Sequence, residues 1–380
     1  MKKDKLSFII SSLSDGGAER QVSILINQLK DKYSIKLFLF HTGIFYKYQN
    51  SVKVVYLGKS DSSEFGILKF LKIFILAWRL KKLNSSKITF SFLNRPNYIN
   101  ILAKIYGMKS KVVINERTMP SIQHSNNFKG FINKRLIKLL YKKADIVITN
   151  SKGNAEDLTI NFNINRVITI NNSVDLNEIA IKSKEIVSFR DNAFSFITIG
   201  RLDYGKNHLL LLEAMKEINA KLYIIGDGVL KGTIIQKIRE YRLSHKVKLL
   251  GRKKNPFRYL DKADCFVFSS NYEGFPNVII EALACGLPVI STDCKSGPRE
   301  ILAPFSKSDY QINGSIELAK YGILTPINDK NKLVEAMNVI IKHKILRDNY
   351  SLKGLKRVKR YGSENVIKQY DKIICAGYLV

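Results

Sequence analysis

The sequence predicts an α/β protein built from two doubly wound parallel-sheet domains. Short apolar runs alternate with amphipathic helical patterns, the pattern occurs twice, and a charged, irregular stretch at residues 181–192 separates the halves. Apolar strands alternating with helices form parallel sheets covered on both faces. A chain of 380 residues is also too long for one ordinary core.

In the first half, runs of Val, Ile, Leu and Phe predict strands at 6–11, 35–40, 52–57, 88–92, 112–115 and 146–149. In the second half they predict strands at 194–199, 222–225, 247–250, 265–269 and 288–291. Most intervening segments are long enough for a helix. S-E-N-V-I-K-Q-Y-D-K-I-I (363–374) reads as a capped helix with an apolar stripe. The start, M-K-K-D-K-L-S-F-I-I-S-S-L, has the charges of a signal peptide, but its apolar run is short and leads into a polar S-D-G-G turn, so a first strand is expected. No window of about 18 uninterrupted apolar residues predicts a bilayer span.

Lys and Arg number 63 against 32 acids, a formal net charge of +31. The charge points to anionic partners: nucleic acid, phosphate-bearing metabolites or an acidic membrane surface. Neither a recognition-helix signature nor an aromatic-Gly RNA motif favours nucleic acid. Cys265, Cys285, Cys294 and Cys375 have no C-x-x-C or zinc spacing and read as reduced thiols; no metal and no cofactor are expected.

Ligands of doubly wound sheets bind outside the carboxyl ends of strands, so the loops after strands matter most. S-D-G-G-A-E-R (14–20) follows the first strand; Gly16 and Gly17 allow close backbone approach, and a helix starting near Ala18 turns its positive end there. It is not a G-x-G-x-x-G, and by itself it is equally a plain turn. I-G-R-L-D-Y-G-K-N (199–207) brings Arg201 and Lys206 onto one loop, which suits a diphosphate or, in so basic a chain, a solvated surface. I-I-G-D-G (224–228) is a turn signal. L-L-G-R-K-K-N-P-F (249–257) ends a strand in Gly251 and Arg252, which could face a nucleobase, with Lys253 and Lys254 solvated.

N-Y-E-G-F-P-N-V-I-I-E-A-L-A-C-G (271–286) carries Glu273 and Glu281 eight positions apart, the second about two turns into a helix that starts near Pro276. Buried carboxylates need partners, and sugar hydroxyls are suitable donors. Phe275 and Pro276 lead into the helix, and Asn277 and Val278 offer early N–H groups to a phosphate. S-T-D-C-K-S-G-P-R-E-I-L (291–302) closes the series with a Gly-Pro turn and a helix near Arg299, either lining the phosphate side of a cleft or serving only as a connection.

Together G-G-A-E-R, G-R-L-D-Y-G-K-N and E-G-F-P-N-V-I-I-E-A-L-A-C-G-L-P-V-I-S-T-D-C resemble the family-4 retaining glycosyltransferases, in particular bacterial members that build polyprenyl-linked oligosaccharides, O-antigens or capsules. The resemblance implies a GT-B fold: two Rossmann-like domains facing a central cleft, with an acceptor domain at 1–188, a nucleotide-sugar domain at 189–360 and a helix at 361–380 packing back on the first. It implies transfer of a hexose or N-acetylhexosamine from a nucleotide sugar, UDP-linked before GDP-linked, to a lipid-linked or lipopolysaccharide-type acceptor, with retention and without a metal. By the same resemblance Glu281 takes the ribose hydroxyls, Glu273 the donor sugar, and Arg201 and Lys206 the departing diphosphate. Gly17 approaches the phosphate and sugar. Glu116 and Arg117 stand where many relatives carry a His and become the acceptor-side candidates, whereas His41 and His208 fit that role poorly.

Two first-half segments concentrate charge: 66–83 with five basic residues and 128–143 with six, neither with an acid. Basic helices with Trp, Phe and aliphatic residues can lie in an anionic interface, or pack as ordinary helices with a wet face. A lipid-linked acceptor favours the former, which places the protein peripherally on the cytoplasmic face of the inner membrane. The rivals are a basic nucleic-acid- or membrane-binding protein and a non-catalytic sugar-binding module; the latter keeps the acids but has no need of Arg201 and Lys206.

Overall fold

The computed structural model describes residues 3–14, 16–46, 48–58, 66–124, 127–189, 193–307 and 310–375. It divides into two compact units, Met1–Ser173 with Ser363–Val380 and Val174–Gly362.

Unit 1 runs β1 (Lys5–Ile9), α1 (Gly17–Leu29), β2 (Ser34–Leu39), β3 (Lys53–Tyr56), α2 (Gly66–Leu83), β4 (Ile88–Phe92), α3 (Asn94–Ile105), β5 (Lys111–Glu116), α4 (Pro120–Gln123), α5 (Phe128–Leu140), β6 (Ile146–Thr149), α6 (Lys152–Phe162) and β7 (Val167–Thr169). Unit 2 runs α7 (Leu176–Ser183), β8 (Ser195–Ile199), α8 (His208–Met215), β9 (Lys221–Ile225), α9 (Lys231–Glu240), β10 (Val247–Gly251), α10 (Phe257–Leu260), β11 (Cys265–Phe268), α11 (Asn277–Ala284), β12 (Val289–Thr292), α12 (Pro298–Leu302), β13 (Glu317–Ala319), β14 (Gly322–Thr325), α13 (Lys330–Lys342) and α14 (Lys344–Val358). α15 (Ser363–Cys375) then returns to unit 1.

The first sheet is parallel throughout, in the order β3-β2-β1-β4-β5-β6-β7. The second has the order β10-β9-β8-β11-β12-β14-β13 and is parallel except for the antiparallel β13 at its edge. Successive residues of each strand feed opposite faces, as the pleat requires. Phe8, Leu37 and Val113 lie with Val22 and Leu25 of α1 and Val366 and Tyr370 of α15. Ile9, Phe38 and Val112 lie with Leu76 and Leu80 of α2 and Ile99 of α3. In unit 2, Phe196, Leu222 and Val267 pack with α8 and α13, while Ile197, Tyr223 and Phe266 pack with α11.

All eleven expected strands are present; β7, β13 and β14 are additional. The break between 188 and 189 expected from the sequence lies instead after Ser173. Val174 and Ile179 are buried in the unit 2 core with Leu260 and Ile279, Phe189 packs on Tyr223 and Tyr259, and Val174 N–H donates to Tyr361 O at 2.9 Å. The return to unit 1 begins at Ser363 rather than 361, since Tyr361 is buried among unit 2 side chains.

Strand order reverses between β1 and β4 in unit 1 and between β8 and β11 in unit 2. Such reversals send the two flanking loops in opposite directions and open a ligand crevice at the carboxyl edge.

Candidate active site

The unit 2 reversal is flanked by Gly200–Asn207 after β8 and Ser269–Pro276 after β11. Backbone and side-chain bonds join the two loops. Asn271 N–H donates to Gly205 O at 2.8 Å, and the Asn271 amide to Tyr204 O at 3.2 Å. The Ser269 hydroxyl lies 2.9 and 3.0 Å from the carbonyl oxygens of Lys206 and Asn207. Asn207 has a left-handed φ of 47°, which Asn tolerates better than most residues. Its side-chain amide reaches Asn271 at 3.0 Å and Asn328 at 2.8 Å. The joined loops bring Lys206 to Glu273 as an ion pair. The lysine ammonium also lies 5.5 Å over the Phe268 ring. At 26% and 11% side-chain exposure, neither charge is fully solvated, and each is the other's partner.

α11 starts directly after this turn. Pro276 occupies its N-cap and makes no side-chain cap hydrogen bond, and the positive end of the helix dipole lies here. Phe275 and Pro276 are buried, Phe275 edge-on to Tyr361 at 5.4 Å. Glu281 is 3% exposed and stands in the second turn of α11, closer to its start than the expected two turns. Arg201 is the outlier: its side chain is 76% exposed, 3.6 Å from Asp203, and it does not join the Lys206–Glu273 pair here. Arg252 is exposed after Gly251, whose φ is 70°. His208, which opens α8, is 2% exposed with Nδ1 unpartnered, and burial first and Lys206 second lower its pKa from 6.5 to about 4. Cys294 is buried, and burial pushes its thiol well above the ordinary range, with Glu273 adding to the effect.

The unit 1 reversal differs. A side chain at Gly16 would overlap the Glu19 carboxylate, so the start of α1 already has an acid of its own. Glu116, expected to face an acceptor, is 1% exposed and fully bonded by its own chain: one oxygen accepts from Arg117 N, Thr118 N and the Thr118 hydroxyl, the other from Tyr141 OH at 2.8 Å. Burial raises its pKa, and those donors oppose the rise. Arg117 is also turned inward. Its guanidinium donates to Asn172 Oδ1 at 2.5 Å and to Tyr370 OH at 3.2 Å, and lies 5.0 Å over Phe92. The sequence reading missed His124, whose Nε2 lies 2.8 Å from Asn94 Nδ2, with Asn94 the first residue of α3. Burial and Lys134 lower its pKa. A histidine eight residues past the end of β5 is the signal that could have found it.

A family model, "Glycosyl transferases group 1", matches residues 180–357. The N-acetylgalactosamine-N,N'-diacetylbacillosaminyl-diphospho-undecaprenol 4-alpha-N-acetylgalactosaminyltransferase of Campylobacter jejuni is 39% identical over 378 residues, covering 97% of this chain and 99% of the relative. The chain belongs to the group 1 glycosyltransferases. A second Campylobacter jejuni glycosyltransferase, named as an alpha-1,4-N-acetyl-D-galactosaminyltransferase acting on GalNAc-alpha-(1->4)-GalNAc-alpha-(1->3)-diNAcBac-PP-undecaprenol, is 29% identical over 97% of this chain and 98% of its own length. Among solved structures, Anabaena HepE in complex with UDP and glucose superposes with a TM-score of 0.79 at 19% identity, covering 98% of this chain and 100% of HepE. The glycosyltransferase therefore has the GT-B fold.

The two basic segments of this glycosyltransferase are α2 and α5, extended in the second case through Lys143. α2 leaves Leu71, Phe74, Ile75 and Trp78 exposed at helical spacing, and Lys82 caps the Trp78 ring at 3.6 Å. α5 leaves Phe128, Phe131, Ile132 and Leu139 exposed. Among the described residues no helix is long and apolar enough to cross a membrane.

Proposed function

We propose that this glycosyltransferase moves an N-acetylhexosamine, N-acetylgalactosamine first, from its UDP derivative to a saccharide linked to a polyprenyl diphosphate, with retention at the anomeric carbon. The single supporting observation is the 39% identity, end to end, with a relative named for α-N-acetylgalactosaminyl transfer to a diphospho-undecaprenol-linked sugar. The geometry suits that chemistry. The leaving UDP gains charge as the glycosidic bond breaks, and Lys206 together with the first N–H groups of α11 at Asn277 and Val278 meets it. Arg201, now extended into solvent, swings in as a second cation. Glu273 gives up part of its bond to Lys206 and accepts from a donor-sugar hydroxyl, Glu281 accepts from the ribose, and the backbone around Gly251 and Arg252 faces the base. Glu116 and Arg117 shape the loop after β5 from within.

The exposed apolar stripes and surrounding lysines of α2 and α5 suit an anionic lipid surface, which is where such an acceptor resides. We place the protein there as a peripheral enzyme on the cytoplasmic face.

Incubation with UDP-N-acetylgalactosamine, UDP-N-acetylglucosamine, UDP-galactose or UDP-glucose and a polyprenyl-diphosphate-linked amino sugar tests the reading. The expected product gains one N-acetylhexosamine in α linkage by mass and NMR. Gain of a hexose, a β linkage, or no gain with any donor overturns it.

A further inference from the structure

The loop between β12 and α12 lies against the turn that carries Glu273. Ser296 and Gly297 follow one another in the left-handed region, with φ of 66° and 90°. For Ser this costs on the order of 1 kcal/mol, and such strain persists only where the surroundings over-determine it. Gly297 has no space for a side chain, since a Cβ would overlap Pro276 Cδ and fall 3.1 Å from Phe275 Cα and 3.2 Å from Gly274 O. The Ser296 hydroxyl donates to Gly274 O at 2.8 Å, and Ser296 is 6% exposed. Each of these contacts falls between Glu273 and the first residue of α11.

Beneath the turn lies a buried charge cluster. Arg299, 3% exposed, donates from Nε to both oxygens of Asp293 at 3.1 Å and from Nη2 to Asp293 at 2.6 Å and Glu317 at 2.9 Å. Nη1 reaches Ser306 at 2.9 Å, while Asp293 also accepts from Ile312 N at 2.8 Å. A buried ion pair is weak support for net stability and acts better as a selector of one conformation. Here it fixes both ends of the 293–299 segment.

We infer that Ser296 is a positioning residue of the transfer site: the left-handed Ser296–Gly297 turn, held by Arg299 and Asp293, clamps Gly274–Pro276 and so sets where the Glu273 carboxylate and the start of α11 stand. The inference rests on reading the Lys206–Glu273 site as the donor site.

Ser296→Gly and Ser296→Asn in the full chain test it, with kcat and KM for the UDP sugar, the Kd of UDP, and Tm as readouts. Glycine accepts the left-handed backbone without strain but has no hydroxyl. Tm is expected to hold or rise while kcat falls about tenfold and UDP binds about threefold more weakly. Asparagine also tolerates the conformation, and its amide can donate to Gly274 O, so kcat recovers to within about threefold of the wild type. Unchanged kcat and UDP affinity in Ser296→Gly overturns the clamp. So does a loss of kcat that tracks a fall in Tm and is not restored by Asn. Should the wild type turn over no UDP sugar, the functional reading fails, and UDP titration still decides the clamp: equal affinity in Ser296→Gly overturns it, weaker affinity supports it.

Discussion

After β8 and β11 in unit 2, charges of opposite sign meet at the rim of the sheet, partly open to solvent and fastened by one another. After β5 in unit 1, an acid and an arginine stand at a similar strand end, but Tyr141, Thr118, Asn172 and Tyr370 bond to them and close them off. The starts of α1 and α11 differ likewise: Glu19 covers one, and a proline without a side-chain cap begins the other. Both sheets have the same winding, so position at a carboxyl edge does not by itself make a ligand site. What differs is exposure: the Lys206–Glu273 pair stays partly open to solvent, whereas Glu116 and Arg117 are closed off.

Lys206→Ala should break the comparison most severely. If Lys206 meets the leaving diphosphate as proposed, its removal is expected to lower kcat/KM for the UDP sugar about a thousandfold. Glu116→Gln should leave the same quantity within about threefold; equal losses in both variants would erase the distinction between the two rims.

The next effect is in acid. His208 has its pKa lowered to about 4 by burial in unit 2. The folded protein keeps this imidazole neutral where the unfolded chain protonates it, so the stabilisation is whole above pH 6.5 and is lost as pH falls towards 4. The total is about 3 kcal/mol. Denaturant titrations between these limits should show a flatter pH dependence for His208→Gln; an identical slope would put the acid sensitivity in other groups.

Unit 1 should dominate at a lipid surface. Changing Lys134, Arg135, Lys138 and Lys142 to Glu is expected to cut partitioning into anionic vesicles about a hundredfold at low salt while leaving UDP affinity in place. Retained partitioning would remove α5 from the membrane face. The smallest effect is Tyr370→Phe, which strips Asn115 and Arg117 of a hydroxyl 3.0 and 3.2 Å away. A stability loss of about 1 kcal/mol with unchanged UDP affinity would confine this network to structure.

Much of the scaffold around Lys206 and Glu273 is legible in the sequence. Buried parallel strands are continuous apolar runs, and each ends in Gly or polar residues at the edge where ligands bind. The fate of Glu116 is not legible, because its bonding partner Tyr141 is 25 residues away and Arg117's partner Tyr370 is 253 away. Ser296 gives no warning of its left-handed backbone, since Ser enters that region only when neighbours force it there. Nor does Val174 announce the start of unit 2: I-N-N-S-V-D-L has no charge run or proline to mark a boundary. The short strands β7, β13 and β14, three or four residues each, carry too little periodicity to register.

Unit 1 is not a continuous piece of chain. Its last helix, α15, is translated only after all of residues 174–362. Every residue of unit 2 is therefore added to the growing chain before Val366 and Tyr370 exist to cover their side of the first sheet. During that interval Phe90 lacks its edge-on aromatic neighbour and Arg117 lacks a phenol to bond. The later half of the gene thus governs when the earlier half can finish folding, and a polypeptide released at Gly362 would carry an uncovered apolar patch of the kind that leads to aggregation.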